Sequence, residues 1–168
     1  MTTRYTIHPS PVGPLLLAVT SDGAICRVAF IDDAPELLDE PEIPNDWVCD
    51  DGALRGVIAE LDEYFAGDRR EFTTPLAPEG TPFQMKVWEA LRTIPYGTTA
   101  SYGEIAAQVG KPTASRAVGA ANGKNPIAVI VPCHRVIGAN GSLTGYGGGL
   151  ERKELLLGLE GSMFAGLR

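Results

Sequence analysis

The chain has 168 residues, which is enough for one domain or for two small ones, and its net charge is −7. It has no run of about 18 apolar residues that could span a membrane, and the N-terminus lacks the apolar core of a secretory signal. The lack of both features predicts a cytoplasmic protein with reduced thiols. The three cysteines show no CxxC spacing and His8 and His134 lie far apart, so the sequence has no zinc-ligand pattern.

The N-terminal part predicts a small antiparallel sheet with one helix. Two strand-like runs, 14–20 and 24–30, flank Ser21-Asp22-Gly23, a turn sequence typical of a β-hairpin. Residues 32–46 are acidic and interrupted by prolines, which favours an exposed loop. Residues 53–65 carry apolar side chains at helical spacing. No residue in this part belongs to a recognisable chemical motif.

A segment rich in Pro, Gly and Thr divides the chain. We expect an N-terminal α/β domain over residues 1–72, a linker over 73–82 and a C-terminal domain over 83–168. The charge changes at the same place: residues 1–79 hold 5 Lys/Arg and 16 Asp/Glu, whereas residues 80–168 hold 9 and 5. The acidic excess therefore belongs to the N-terminal half, and the C-terminal half can still face phosphates.

The part after the linker predicts helices over 83–91, 102–109 and 114–122. The last two are joined by a glycine-containing break at 110–113. Two short helices with such a break have the form of a helix-turn-helix, although many helical hairpins share it.

The predicted helix over 114–122 consists largely of small residues around one long cation, Arg116. One interpretation is tight helix packing, with Arg116 in a surface ion pair. The other is close approach of this helix to a DNA groove, with the arginine occupying the space of an extruded base. The alanine-rich surface argues against a transcription regulator that reads bases with long polar side chains.

The segment Val131–Ile137 places Cys133 directly beside His134, between apolar flanks. A thiol with an ordinary pKa is mostly protonated at neutral pH, so a nucleophilic cysteine needs a nearby base or cation. Adjacent side chains diverge, so a proton relay through water fits this spacing better than direct contact. Taken alone, the pair is also compatible with a buried structural cysteine.

Three further features accompany this motif. Asn125 stands at the start of the apolar segment that leads to Cys133. Glu160 follows the apolar run 155–159, either as a surface charge at a helix end or as the carboxylate that orients His134. The glycine-rich stretch 145–149 lacks the phosphate-loop pattern, so a flexible loop is the default prediction.

In these motifs the chain resembles the O6-alkylguanine-DNA alkyltransferases (methylated-DNA–protein-cysteine methyltransferases). The similarity rests on blocks in family order: Ile94-Pro95-Tyr96-Gly97, Ser101-Tyr102-Gly103, Arg116-Ala117-Val118-Gly119, Asn125-Pro126, Pro132-Cys133-His134-Arg135-Val136 and Tyr146-Gly147-Gly148-Gly149. It implies an α+β fold, with a small N-terminal antiparallel sheet and helix followed by a mainly helical C-terminal domain that contains a helix-turn-helix.

The resemblance also implies the reaction. The alkyl group of O6-alkylguanine, with O4-alkylthymine as a second candidate, would pass irreversibly to Cys133 in a single turnover. The target base would be flipped out of double-stranded DNA, the partner of a monomeric protein. Neither a cofactor nor a metal would take part.

Residue roles follow from the same resemblance. The expected catalytic residues are Cys133, His134 as a base acting through water, Glu160 as the group that orients it, and Asn125 as the support of the local turn. The expected DNA contacts are Tyr102, Arg116, Ala117, Ala121, Asn122 and Arg135. The expected pocket residues are Val136, Tyr146 and Gly147; the last stands where some relatives have a serine, so a side-chain donor is missing.

Two alternatives besides the regulator stay open at this point. A non-catalytic binder of alkylated DNA would lack the reactive cysteine, so the presence of Cys133 argues against it. A cysteine hydrolase would turn over repeatedly, whereas an alkyltransferase stops after one equivalent.

Overall fold

The structure is a computed structural model that describes residues 2–31, 43–141, 146 and 149–161. The chain divides into two compact units, Met1–Pro78 and Glu79–Arg168. Most of the predicted acidic loop and all of Gly147 lie outside the described residues. Within the described part, no helix combines the length and the apolar character needed to cross a bilayer.

In its described residues the first unit contains a four-stranded sheet and one α-helix, in agreement with the predicted α+β fold. The sheet has the order β3-β2-β1-β4, and β2 is buried along its whole length. Strand β1 pairs antiparallel with β2, whereas β4 joins β1 in parallel. The elements are β1 (Arg4–His8), β2 (Leu15–Val19), β3 (Ile25–Phe30), β4 (Val48–Cys49), a 3-10 turn (Asp51–Leu54) and α1 (Arg55–Phe65).

The first residues of the predicted linker pack onto this unit. The buried carboxylate of Glu60 in α1 accepts hydrogen bonds from the backbone amides of Thr73 and Thr74, at 2.7 and 3.0 Å. The amide of Ile25 in β3 donates to the carbonyl of Pro75 at 2.8 Å. This stretch is therefore more ordered than its composition suggests, because its backbone groups have partners in the unit.

The second unit is mainly helical, as the sequence predicts. Its only strands among the described residues are two short ones that pair in parallel. The elements are α2 (Pro82–Leu91), β5 (Ala100–Ser101), α3 (Tyr102–Gln108), α4 (Ser115–Gly123), a 3-10 turn (Cys133–Arg135), β6 (Val136–Ile137) and α5 (Leu150–Leu159).

Side-chain caps define where α2 and α3 begin. The hydroxyl of Thr81 accepts a hydrogen bond from the amide of Gln84 at 3.1 Å. The hydroxyl of Ser101 accepts from the amide of Glu104 at 3.0 Å, and the Glu104 carboxylate accepts from the amide of Ser101 at 3.0 Å. Such reciprocal bonds satisfy amides that have no partner inside the helix.

Helices α3 and α4 have the order, lengths and short connection of the predicted helix-turn-helix, with residues 109–114 between them. The inner face of α4 contains Val118, Ala121 and Asn122. The indole of Trp88 in α2 donates to the carbonyl of Ala121 at 2.8 Å. Trp88 is thus a core residue that holds the last turn of α4 against α2.

Candidate active site

Cys133 begins a single 3-10 turn between an apolar irregular segment and β6. Its amide donates to the carbonyl of Val131 at 2.7 Å, and its carbonyl accepts from the amide of Val136. The residue is only 5% exposed, and its Sγ lies 3.9 Å from the hydroxyl oxygen of Tyr146. The thiol is therefore shielded from bulk water and held in a fixed direction.

The backbone that leads to Cys133 is held by Asn125. Its side-chain amide donates to the carbonyls of Ile127 and Val131, at 3.3 and 2.9 Å, while its Oδ1 accepts from the amide of Ile127 at 3.0 Å. Within this turn Val129 has a φ of 69°, which is unfavourable for a β-branched residue. The three hydrogen bonds of Asn125 support this strained turn.

His134 and Glu160 form a fully buried pair, with 2.8 Å between Nε2 and Oε2. The carboxylate holds the ring proton on Nε2, which leaves the lone pair of the neutral ring on Nδ1. Nδ1 is buried and has no hydrogen-bond partner among the described residues. No direct hydrogen bond joins the described side chains of Cys133 and His134, as expected for consecutive residues.

Arg135 completes a buried cluster with the same carboxylate. Its Nε and Nη2 donate to the two oxygens of Glu160 at 2.8 and 3.0 Å, and its Nη1 donates to the carbonyl of Ile94 at 2.7 Å. The guanidinium carbon lies 5.7 Å from the centre of the Tyr96 ring. This side chain is therefore buried and engaged inside the unit, and the expected DNA contact of Arg135 stays a prediction.

The cluster has defined protonation states. Burial raises the pKa of the Cys133 thiol, against the opposing effects of Asn125, Tyr146 and Lys153. Burial lowers the pKa of His134 more than its bond to Glu160 raises it. Burial alone would raise the pKa of Glu160, but the hydrogen bonds from His134 and Arg135 lower it to about 2. At neutral pH the resting site thus contains a thiol, a neutral imidazole and an ionised carboxylate.

Lys153 is a site residue that the sequence analysis missed. It lies on α5, is fully buried, and has its Nζ 6.0 Å from the centre of the Tyr146 ring. Burial lowers its pKa to about 8, while the charge of Cys133 acts in the opposite direction. Its spacing from the buried Leu156 and Leu157 places Lys153 on the apolar face of the helix. This helical spacing is visible in the sequence and could have indicated that Lys153 is buried.

Helix α4 presents some of the expected DNA-contact residues to solvent and buries others. Arg116 and Ala117 are exposed. Ala121 and Asn122 are only 3% and 5% exposed, and their expected contacts to DNA stay predictions. They are buried because the helical period turns these two residues to the same side as Val118.

The remaining described residues of the predicted site are Tyr102, Val136 and Tyr146, and each is at least half-buried. Tyr102 is the first residue of α3 and is half-buried, with its ring packed near Gly119 of α4. Val136 is fully buried in β6, opposite Ala100. Tyr146 is half-buried beside the thiol. Among the described residues, no three His, Cys, Asp or Glu side chains are grouped so as to hold a metal ion.

The second unit thus contains a buried cysteine, an adjacent buried cluster of His134, Arg135 and Glu160, and the two short helices α3 and α4. Two family models match this chain. The 6-O-methylguanine DNA methyltransferase DNA binding domain matches residues 82–162, and the ribonuclease-like domain of the same protein matches residues 3–78. The chain therefore belongs to the 6-O-methylguanine DNA methyltransferase family.

Individual relatives agree with this assignment. A methylated-DNA–protein-cysteine methyltransferase of Methanosarcina acetivorans is 54% identical over 158 residues, which is 94% of this chain and 98% of that protein. One from Mycobacterium tuberculosis is 52% identical over 161 residues, or 95% of this chain and 93% of that protein. The crystal structure of the Mycobacterium tuberculosis O6-methylguanine methyltransferase has a TM-score of 0.86 at 51% identity, covering 99% of this chain and 97% of that one.

A further crystal structure from Mycobacterium tuberculosis contains DNA. That protein has a TM-score of 0.83 to this chain at 50% identity, covering 96% of this chain and 93% of that one. The similarity thus extends over both units.

Proposed function

We propose that Cys133 is the residue that accepts the alkyl group when this chain repairs DNA. The chain is a methylated-DNA–protein-cysteine methyltransferase, which moves the alkyl group from O6-alkylguanine to a cysteine of its own. The observation that carries the assignment to Cys133 is the buried His134–Glu160 pair beside it. Cys49 is exposed and Cys26 is half-buried, and neither adjoins a histidine in the sequence.

The proton inventory supports a direct displacement. Neutral His134 takes the thiol proton at Nδ1, by way of a water, and Glu160 stabilises the resulting imidazolium. The sulfur then bonds to the alkyl carbon, the bond from that carbon to O6 breaks, and the electron pair leaves with guanine. The guanine anion takes the proton back from the imidazolium by way of water, which restores neutral His134. The product is a stable thioether, so each molecule reacts once.

Lys153 and Tyr146 assist the ionised state of the thiol. The buried ammonium favours the thiolate electrostatically, because charges interact strongly where water is excluded. The Tyr146 hydroxyl lies 3.9 Å from Sγ and can donate to the thiolate. Both groups lower the cost of forming an anion in an apolar site.

The burial of Cys133 requires that the damaged base leave the DNA stack. A thiol that is 5% exposed cannot reach O6 within an intact duplex. Arg116 then fills the gap that the base leaves in double-stranded DNA, and the small side chain of Ala117 lets the helix approach the groove. The exposure of both residues on α4 supports these roles. A reduced Cys133 is also needed, which a cytoplasmic location would provide.

The test is a stoichiometric labelling experiment. One equivalent of duplex O6-methylguanine should add one methyl group to Cys133 and none to Cys26 or Cys49, as read by intact mass and peptide mapping. Cys133→Ser should bind the same duplex and gain no label. Label on another cysteine would refute the assignment, and product beyond one equivalent would favour a hydrolase. Duplex O4-methylthymine in the same assay tests the second candidate substrate.

A further inference from the structure

Asn122 joins α4 to the main chain of the nucleophile. Its Nδ2 donates to the carbonyl oxygen of Cys133 at 3.3 Å, and the residue is only 5% exposed. A carbonyl oxygen can only accept, so the atom that faces it must be the amide nitrogen. The same carbonyl accepts from the amide of Val136, so two donors hold the turn that carries the thiol.

The side-chain oxygen of Asn122 destabilises the fold. Its Oδ1 is buried and has no hydrogen-bond partner among the described residues. A buried acceptor without a partner destabilises a protein, whereas leucine has nearly the same size and carries no polar atom. Packing alone would therefore favour leucine at this position.

Two hydrogen bonds attach the last turn of α4 to other parts of the unit. Trp88 holds the carbonyl of Ala121, so the last turn of α4 is attached to α2 at one residue and to Cys133 at the next. Arg116 lies on the exposed side of the same helix. The bond of Asn122 thus links the helix that faces DNA to the backbone of the reacting residue.

We infer that Asn122 is a positioning residue that holds the main chain of Cys133 at the distance and angle needed for attack. This inference rests on the proposed role of Cys133 as the alkyl acceptor. Asn122 is almost fully buried, and its hydrogen bond goes to the carbonyl of Cys133, so it acts on where the sulfur lies and not on its ionisation. A displacement of about 1 Å at a reacting atom can cost on the order of 100-fold in rate.

The experiment compares Asn122→Leu and Asn122→Ala with Gly123→Ala, a control on the adjacent residue of the same helix. Gly123 is exposed, and a Cβ there would meet no atom within 4 Å. Single-turnover rates are measured with free O6-benzylguanine and with duplex O6-methylguanine. The dissociation constant for the duplex and the pH profile of the rate are measured alongside.

Both Asn122 variants should react about 10- to 100-fold more slowly with the free base and with the duplex, by the same factor for each. The dissociation constant for the duplex and the midpoint of the pH profile should stay within experimental error of the original protein, and Gly123→Ala should react at the original rate. If one variant fails to fold, the other carries the comparison, because each removes the amide and they differ in volume.

Three results would overturn the inference: rates within twofold of the original, slowing confined to the duplex, or a shifted pH midpoint. Slowing confined to the duplex would make Asn122 a DNA contact after all. The unaltered protein serves as the separate test of the proposed function. If it transfers its label to Cys133 while the Asn122 variants match it, only the positioning role fails.

Discussion

Among the described residues, each unit of the protein buries one glutamate, and the two glutamates have different partners. Glu60 in the first unit binds the amides and hydroxyls of Thr73 and Thr74, with Arg69 at 3.1 Å. Burial raises its pKa, but these hydrogen bonds outweigh burial and hold the pKa below its ordinary value. Glu160 in the second unit is bound instead by His134 and Arg135.

The difference lies in what each carboxylate acts upon. Glu60 holds a segment of backbone in place, so its hydrogen bonds stabilise the fold. Glu160 fixes an imidazole that adjoins a thiol, so its charge can stabilise a proton transfer. A buried, ionised carboxylate with a lowered pKa is therefore not by itself evidence of a reactive site. Only its partners distinguish the structural carboxylate from the functional one.

The largest effect on the reaction should come from Glu160→Gln. The amide keeps the shape but removes the charge that stabilises the imidazolium, so the transfer rate should fall roughly 10²–10⁴-fold. The dissociation constant for duplex DNA should change little. Single-turnover rates together with a DNA titration make the measurement. A rate near the original would place Glu160 with Glu60 as a structural residue.

The pH dependence of stability gives a second signature of Glu160. Because its pKa is lowered in the fold to about 2, its contribution is complete above the ordinary pKa of about 4.5. That contribution is lost as pH falls from 4.5 towards 2. Urea unfolding between pH 6 and 3 should therefore show a steep loss in the original protein and a shallower one in Glu160→Gln.

The next largest effect should separate DNA handling from chemistry. Arg116→Ala should slow transfer from duplex O6-methylguanine by about one to two decades, since unstacking a base costs a few kcal/mol and each decade corresponds to about 1.4 kcal/mol. Transfer from free O6-benzylguanine, which needs no extrusion, should stay near its original rate. Equal slowing of both substrates would mean that Arg116 supports the fold or the pocket.

Lys153→Met should slow the transfer less than Arg116→Ala does on duplex DNA, and it should make the folded protein more stable. Losing the buried cation should slow transfer by about tenfold, because the thiolate loses one favourable charge. The lowered pKa of Lys153, about 8, means that its burial cost is complete below pH 8 and is relieved as pH rises towards 10.5.

The variant should therefore melt at a higher temperature at pH 7, and its advantage should shrink above pH 8. Thermal melts at pH 7 and pH 9.5, with the single-turnover rate, make the comparison. A lower melting temperature of the variant at pH 7 would contradict this prediction, because it would show that Lys153 stabilises the fold.

The smallest effect on the reaction should come from Glu60→Gln. Its new amide group faces donors and leaves buried partners unsatisfied, so the free energy of unfolding should fall by about 1–3 kcal/mol. The rate on free O6-benzylguanine should be unchanged. Urea unfolding and the rate assay test this, and a large loss of rate would remove the distinction between the two carboxylates.

Much of the architecture and the reactive motif could be predicted from local signals. The hairpin turn, the apolar spacing over 53–65 and the capping residues act over a few positions, so they are visible in the chain itself. The thiol and its neighbouring histidine are adjacent by covalent connection. The family resemblance added the expected roles of Glu160 and Asn125, which no local spacing can supply.

The directions of several side chains depended on the tertiary structure. The family resemblance implied DNA contacts for Arg135 and Asn122. The 3-10 turn and the helical period instead point them inward, where Glu160 and the carbonyl of Cys133 receive their hydrogens.

Very short strands and contacts between residues far apart in the chain could not be predicted from the sequence either. The two-residue strands β4, β5 and β6 are too short to leave a periodic pattern, and their partners lie far away in the chain. Lys153 looks like a surface charge until α5 packs its apolar face and carries the ammonium inside. Local preference decides which elements form, whereas burial and pairing between distant residues decide which way each side chain faces, and the chemistry of Cys133 depends on the latter.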